Sequence, residues 1–558
     1  PHLWRLVHAR IGVPSPAERY AERLTEIRAG DCPADIPARV SLFGLSTLPG
    51  GAPFLELLEA LGTQRDVHLL AHQPSLAMTR AVVASASTSQ HRALHRSEDQ
   101  TGDLVSHPLL LSWARPARES MVLLADHLTE IIGHEAAAEA EPTTLLERIQ
   151  RDIQTDTAPA SDFSPDPADR SIQIHTCHGT TRQVEVLRDQ ILHLLADDPT
   201  LTEDDIVVFC PALDEFAPLI ETVLGPPAGS ERRSDEAAVP GVPTLSYRVT
   251  DRSLRATYPL LGALGALVEL LDSRFSDAAV LDFANLGPVR ERFGLNDEDL
   301  TTLADWVDKA NTRWGLDGAH RVRWGIPASY EAGSWRSAID RLLLGISISD
   351  DPDALAVGHI LPIGVEGSDT AVAGRLADLL ARLADLTDAV HGTRPAQDWF
   401  RLLQGAAAEL FAVAPDMAWQ QIRLANVLED LAAQAVIGSE TCGVDLALAD
   451  IRHLLGSHLQ GTAGRADFFR GGITVSSLTP LRGIPYRVVC LLGMDESAFA
   501  AGSPNGDDLT SADPRLGDRD RRSDARQSLL ETVLAARENL VVTRTGRSVV
   551  TNQSVPAA

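Results

Sequence analysis

Apolar and polar positions along the chain follow two rhythms, one of 3.6 residues and one of 2, and the switches between them mark out its layers. SPAERYAERLTEIRAG predicts a helix: Ser15 caps it, Pro16 fills its first turn, Glu18 completes a capping box and Gly30 ends it. The β-type runs RVSLFGL, from Arg39, and DVHLLAH, from Asp66, flank the helical PFLELLEALG, which predicts a βαβ unit opening a parallel α/β layer. Polar, Ser/Thr/His-rich text from Met78 to Asp103 predicts a loop, after which HPLLLSWARPARESMVLLADHLTEIIG resumes helical spacing. DTAPASDFSPDPADR, rich in Pro, Asp and Ser, reads as a linker over 156–170.

Beyond the linker, SIQIHTCHG with TTRQVEVLRDQILHLL, and then DDIVVFCP with LDEFAPLIETVLG, each read strand, turn, helix, which gives a second α/β layer. GPPAGSERRSDEAAVPG predicts a mobile loop, and LSYRVTD, from Leu245, a further strand. From Arg252 to Gly464 helical spacing dominates; in TAVAGRLADLLARLADLTDAV one face carries Val372, Leu376, Leu379, Leu380, Leu383 and Leu386. ITVSSLT, RVVCLLGM and NLVVTRTG then return to strand character, with a helix from Asp524 to Glu538 before the last. The expected domains are therefore an α/β part over 1–155, a second α/β domain split between 171–251 and 465–558, and a helical insertion over 252–464.

Composition narrows the function classes. With 558 residues and 44% apolar content the chain can bury several cores, and length suggests roughly three or four domains. It has no run of about 18 apolar residues to span a bilayer. PHLWRLVHARIGVP lacks a secretory pattern, and a first residue that is Pro rather than Met suggests a fragment. Cys32, Cys177, Cys210, Cys442 and Cys490 form no CxxC pair, which points to the reducing cytoplasm and to no metal. A net charge of −28 repels polyanions at long range, so contact with DNA needs a local basic surface. Lys309 is the only lysine and sits in WVDKANTR without preceding glycines, so no phosphate-binding GxxxxGK[ST] loop exists in the chain.

The plan of two α/β layers with a helical domain inserted in the second is similar to UvrD-like superfamily-one helicases. In their T-x-H-x-x-K-G register stand Ser477, Thr479, Arg482 and Gly483, so the His has become Thr479 and the Lys Arg482. DARQSLLETVLAARENLVV is similar to the motors' last helix, with Ala535 at the ATP-sensing arginine, and Phe43, Gly44, Leu45 and Ser46 offer no magnesium carboxylate. The phrases HPLLLSWAR, CHGTTRQVEVLRDQIL, YRVTDRS, TRWGLD, LTPLRGIPYRVVCLLGMDE and LGDRDRR resemble the RecC family, the gamma subunits of exodeoxyribonuclease V. The resemblance runs from Val40 onward. It implies two RecA-like, UvrD-type domains that are catalytically degenerate, the first represented by its C-terminal part. It also implies a cytoplasmic, non-catalytic subunit without cofactor. Such a subunit joins RecB-like and RecD-like partners, separates strands of single-stranded and duplex-end DNA, and reads a Chi-type signal. The family further implies that a beginning of the first motor-like domain and a nuclease-like C-terminal domain lie outside this chain. An active UvrD-like helicase and an AddB-type inactive helicase–nuclease subunit are the alternatives.

Candidate DNA-binding residues are Asp518, Arg519, Arg521 and Arg522, with Arg482 and Thr479. Guanidinium groups suit phosphates and guanine edges, and Asp can accept from a cytosine amine. Against this, Asp513, Asp518, Asp520 and Asp524 nearly cancel the arginines, and a self-paired surface network explains such a run equally well. Arg482 can hold a phosphate or pair with an acid such as Asp495. His175, Cys177 and His178 alternate along a strand, which does not gather metal ligands. The turn CHGTTRQ can offer backbone N–H groups to a phosphate or simply cap its helix. Trp314 and Trp324, each preceded by Arg, can stack on bases or join the core.

Overall fold

The computed structural model describes residues 2–32, 35–48, 51–88, 95–125, 127, 130–133, 141–160, 163–225, 245–348, 360–365, 367, 369–434, 436–437, 440–441, 445–461, 471–479, 481–495, 513–549 and 551–556. By compactness the chain divides into residues 1–251 with 466–558, and residues 252–465.

In the α/β unit, α1 (His2–Ile11) and α2 (Pro16–Arg28) lead the chain, and α2 has the expected capping box between Ser15 and Glu18. The strands β1 (Arg39–Leu45) and β2 (Asp66–Ala71) run parallel around α3 (Gly51–Gly62), as the alternating pattern predicts. The predicted loop from Met78 to Asp103 needs correction, because α4 (Leu76–Thr88) occupies its first half. Met78 and Val82, one turn apart, are fully buried, and Thr79 returns its hydroxyl to Ser75 O at 2.9 Å, which reconciles Ser/Thr-rich text with a helix. Next come α5 (Pro108–Trp113), α6 (Arg115–Leu124) and α7 (Leu145–Gln154).

Six strands form a parallel sheet. They are β3 (Ile172–His178), β4 (Ile206–Phe209), β5 (Tyr247–Val249), β10 (Ile473–Ser476), β11 (Tyr486–Leu491) and β12 (Ala536–Arg547), in the order β3-β12-β11-β4-β10-β5. Both faces are covered, which is why the central strands read as unbroken apolar runs. Ile206 and Val208 face Val184, Leu187 and Ile191 of α8 (Thr180–Asp197) and Phe216 and Ile220 of α9 (Leu213–Leu224). Val207 and Phe209 face the other way, toward Leu146 of α7, Leu478, Leu481 and Leu540. Of the predicted mobile loop 225–241, all but Gly225 falls outside the described residues.

The last helix spans Arg521–Ala535 rather than Asp524–Glu538, so Arg537 and Glu538 open β12 instead. It has two apolar sides. Leu530 enters the core of the first layer, with Leu55, Met78, Leu110 and Ile153, while Leu529 and Val533 pack with the sheet. This helix therefore joins the two layers.

The second unit is helical with one continuous core. Its longest helix, Thr370–Ala389, buries all six residues of the predicted face. Two-residue ladders, β6 (Arg394–Pro395) with β9 (Asp445–Leu446) and β7 (Val436–Ile437) with β8 (Glu440–Thr441), are its described strand pairings.

Candidate nucleic-acid interface

The arginine-rich run begins as a loop and ends as the first turn of the last helix. Asp518 and Asp520 turn inward. Asp518 Oδ2 accepts the Arg515 amide at 2.7 Å, closing a turn within the loop. Asp520 caps the helix by accepting from the Arg522 amide at 3.2 Å, and it also pairs with Arg115. Burial opposes ionisation of Asp520, but hydrogen bonds from Ser523 and Arg115 hold its carboxyl below the ordinary range. Asp524 takes Arg519 at 3.0 Å, although the Arg519 side chain remains 83% exposed. Arg521 and Arg522 are exposed at the helix start. A run that is nearly neutral in sequence thus presents Arg521 and Arg522 outward, turns Asp518 and Asp520 to its own backbone and to Arg115, pairs Asp524 with Arg519 and leaves Asp513 exposed beside His95.

Arg482 is placed differently. Its guanidinium forms a two-pronged pair with Glu531, at 2.9 and 3.2 Å, and the Glu531 side chain is only 1% exposed. The acid offered by sequence, Asp495, is engaged elsewhere: it accepts Thr545 N at 2.6 Å and Thr545 Oγ1 at 2.8 Å. Thr479 lies exposed on the loop after β10. Thr479 and Arg482 therefore stand on one loop, and the 518–522 cluster on another.

Residues that sequence reasoning did not single out hold these loops. Gln527, fully buried, donates to Ser46 O at 3.1 Å and to Glu531 at 2.9 Å, and accepts the Ala117 amide at 2.9 Å. Glu119 accepts both prongs of Arg96, at 2.6 and 2.9 Å, and the amide of Gly517 at 3.0 Å. That bond keeps the Arg96 guanidinium protonated above even its usual range. A polar residue amid apolar helix positions was the available signal, but partners about 400 residues away are invisible to local pattern.

At the carboxyl ends of the sheet strands, where open parallel sheets receive ligands, described protein groups bond to one another. Gln183, fully buried at the start of α8, donates to Thr545 Oγ1 at 2.8 Å and accepts the Gly493 amide at 3.1 Å beside the Asp495 carboxylate. Gly179, in the CHGTTRQ turn, has φ +89°, and a Cβ there would stand 2.6 Å from Val549. A fixed carboxylate and an apolar cover do not make a phosphate cradle. Lys309 pairs with Asp305 at 2.7 Å on its own helix. Among the described residues no cluster of His, Cys, Asp and Glu gathers in metal-binding geometry, and no helix is long and apolar enough to cross a membrane.

In the helical unit Trp314 and Trp324 are half-buried and pack edge to face at 5.6 Å. Arg321, buried behind Trp314, donates to Trp314 O, Tyr330 O and Ala332 O, so this Arg organises the surrounding loop.

Residues 1–156 match the family described as RecC, N-terminal domain, and residues 257–463 the family described as RecBCD enzyme subunit RecC fourth domain. The chain belongs to the RecC family. All of it aligns, at 38% identity, with half of the RecBCD enzyme subunit RecC of Mycolicibacterium smegmatis. The corresponding RecC of Mycobacterium tuberculosis is 37% identical over 100% of the chain and 49% of that relative. For Escherichia coli RecC the identity is 31% over 96% of the chain and 49% of the relative. The chain thus spans about half the length of the curated relatives it matches.

Proposed function

We propose that this RecC-family chain is a non-catalytic DNA-handling scaffold of a RecBCD-type helicase–nuclease, acting in double-strand-break repair by homologous recombination. The observation that carries this reading is the 38% identity along the whole chain with a RecBCD subunit. That likeness favours it over an active UvrD-like helicase and over an AddB-type subunit. In this reading the α/β unit holds two degenerate RecA-like layers, interrupted by the helical unit. Its partners are RecB-like and RecD-like subunits and single-stranded and duplex-end DNA, and it works in the cytoplasm. Loss of motor chemistry is supported at the loop that should grip nucleotide, because Arg482 is bound to the buried Glu531. Arg521 and Arg522 are the residues best disposed to meet bases or phosphates, with Asp518 and Arg519 beside them.

The test is DNA processing by the complex with its RecB-like and RecD-like partners. Arg521→Ala and Asp518→Ala should change product length on DNA carrying the signal sequence while unwinding persists, since one lost base contact costs about 1–3 kcal/mol of discrimination. An unchanged signal response in both variants sinks the base-reading role. ATP turnover by this chain alone, abolished by Arg482→Ala, sinks the non-catalytic one.

A further inference from the structure

The loop that carries Arg519 into the last helix is held to the rest of the unit at several backbone atoms as well as through the side chains of Asp513, Leu516 and Asp520. Arg96 is the central attachment. Its amide donates to Pro514 O at 2.9 Å, and its Nη2 donates to Asp518 O at 2.5 Å. Its Nε and Nη2 also grip Glu119, which accepts the Gly517 amide as well and pairs with Arg115 Nε at 3.7 Å. His95 adds an antiparallel bridge to Arg515 and a 2.9 Å bond to Asp513. Arg115 reaches from the start of α6 to Asp520 and Ser523, fixing the helix entrance.

Burial makes this arrangement more than incidental. The Glu119 side chain is 2% exposed and that of Arg96 16%, so each ion depends on the other and on the loop for its hydrogen bonds. The contacts address the backbone atoms Pro514 O, Gly517 N and Asp518 O, and so set the path of the chain. The seat is also tight. Gly517 has φ +83°, and a Cβ there would stand 2.7 Å from Leu123 Cδ1 and 3.4 Å from Gly51 Cα.

We propose that the buried Arg96–Glu119 pair is the mount of the Pro514–Asp520 loop, a positioning device in the first α/β layer that sets where Arg519, Arg521 and Arg522 present their guanidinium groups. The consequence for DNA rests on the function proposed above; the mount itself does not. Arg96 and Glu119 touch no substrate in this scheme. They act through the loop.

Hydrogen exchange on the full chain tests the mount. Glu119→Gln removes the buried charge, Gly517→Ala crowds the seat without touching charge, and Arg96→Lys keeps the charge but loses the fork. Amides over 515–520 should exchange about tenfold faster or more in the variants that fold, while those of Ile206–Phe209 keep wild-type protection. Wild-type exchange of the loop in the folded variants overturns the proposal. In the complex with RecB-like and RecD-like subunits, the same variants should shift the signal response as Arg521→Ala does. A loosened loop with an intact signal response upholds the mount and removes the DNA-reading role instead.

Discussion

At Arg482 the guanidinium standing in a motor's lysine register meets Glu531, a carboxylate from a helix 49 residues later that also receives Gln527. The charge type survives, but its partner is protein rather than phosphate. Sequence exposed the substitution at once and not the partner, because Asp495 is nearer along the chain while Glu531 is nearer in space. The same limit applies to His320, which no sequence pattern singles out. Burial, with the Arg323 charge, lowers its pKa to about 4, and it packs against Phe275 and Trp324 with centroids at 5.2 and 4.9 Å. An unfolded His titrates near 6.5. Between pH 6.5 and 4 the unfolded chain therefore takes up a proton that the folded chain refuses. Stability contributed by the neutral ring is present above that window and lost as pH falls through it, by about 3 kcal/mol at most. Denaturant unfolding of the helical unit at pH 7 and pH 4.5 should show this loss, and His320→Leu should reduce it. An equal loss in the variant would assign the acid sensitivity to other groups.

Among the elements, the central strands were the most legible. A parallel sheet covered on both faces writes IVVF and RVVCLL as continuous apolar text, and the turns around them are polar. The helix α4 was illegible because its buried positions are few and its polar residues bond to their own turn. The last helix begins and ends three residues earlier than its pattern predicts, because Arg521, Arg522, Arg537 and Glu538 suit a helix and an exposed strand start equally well. What no periodicity displays is the closure of the sheet's carboxyl end. There Asp495 links the segment after β11 to Thr545 of β12, next to Gln183 of α8. Asp495→Ala leaves the Thr545 amide without its carboxylate and should destabilise the α/β unit by about 1–3 kcal/mol. Asp495→Asn, which retains an acceptor, should cost less. Equilibrium unfolding followed through the α/β unit checks the order, and equal costs would show that the carboxylate charge, not the hydrogen bond, secures the sheet end.

For the molecule as a whole, the charge of −28 and the outward arginines at the entrance to the last helix act at different ranges. Screening over about 8 Å at physiological salt confines the body's repulsion to its neighbourhood, so a few unneutralised guanidinium groups can still meet a phosphate. Which of them do so follows from their partners. Arg519 shares its charge with Asp524 at 3.0 Å, whereas Arg521 and Arg522 stand exposed on the first helical turn. Binding of duplex ends by this chain should therefore be weak and fall steeply with salt. If both residues contact phosphate, Arg521→Ala and Arg522→Ala should each reduce the slope of log affinity against log salt by about 0.9, the release of one condensed counterion per phosphate. Arg519→Ala, which removes a cation already paired, should change the slope far less and free Asp524 to repel the same backbone. Fluorescence anisotropy of a labelled duplex end across a potassium chloride series measures all three. Affinity that is tight and insensitive to salt, or a slope lost with Arg519 and kept without Arg521 and Arg522, would show that the pairing of Arg519 with Asp524 does not decide which arginines bind phosphate.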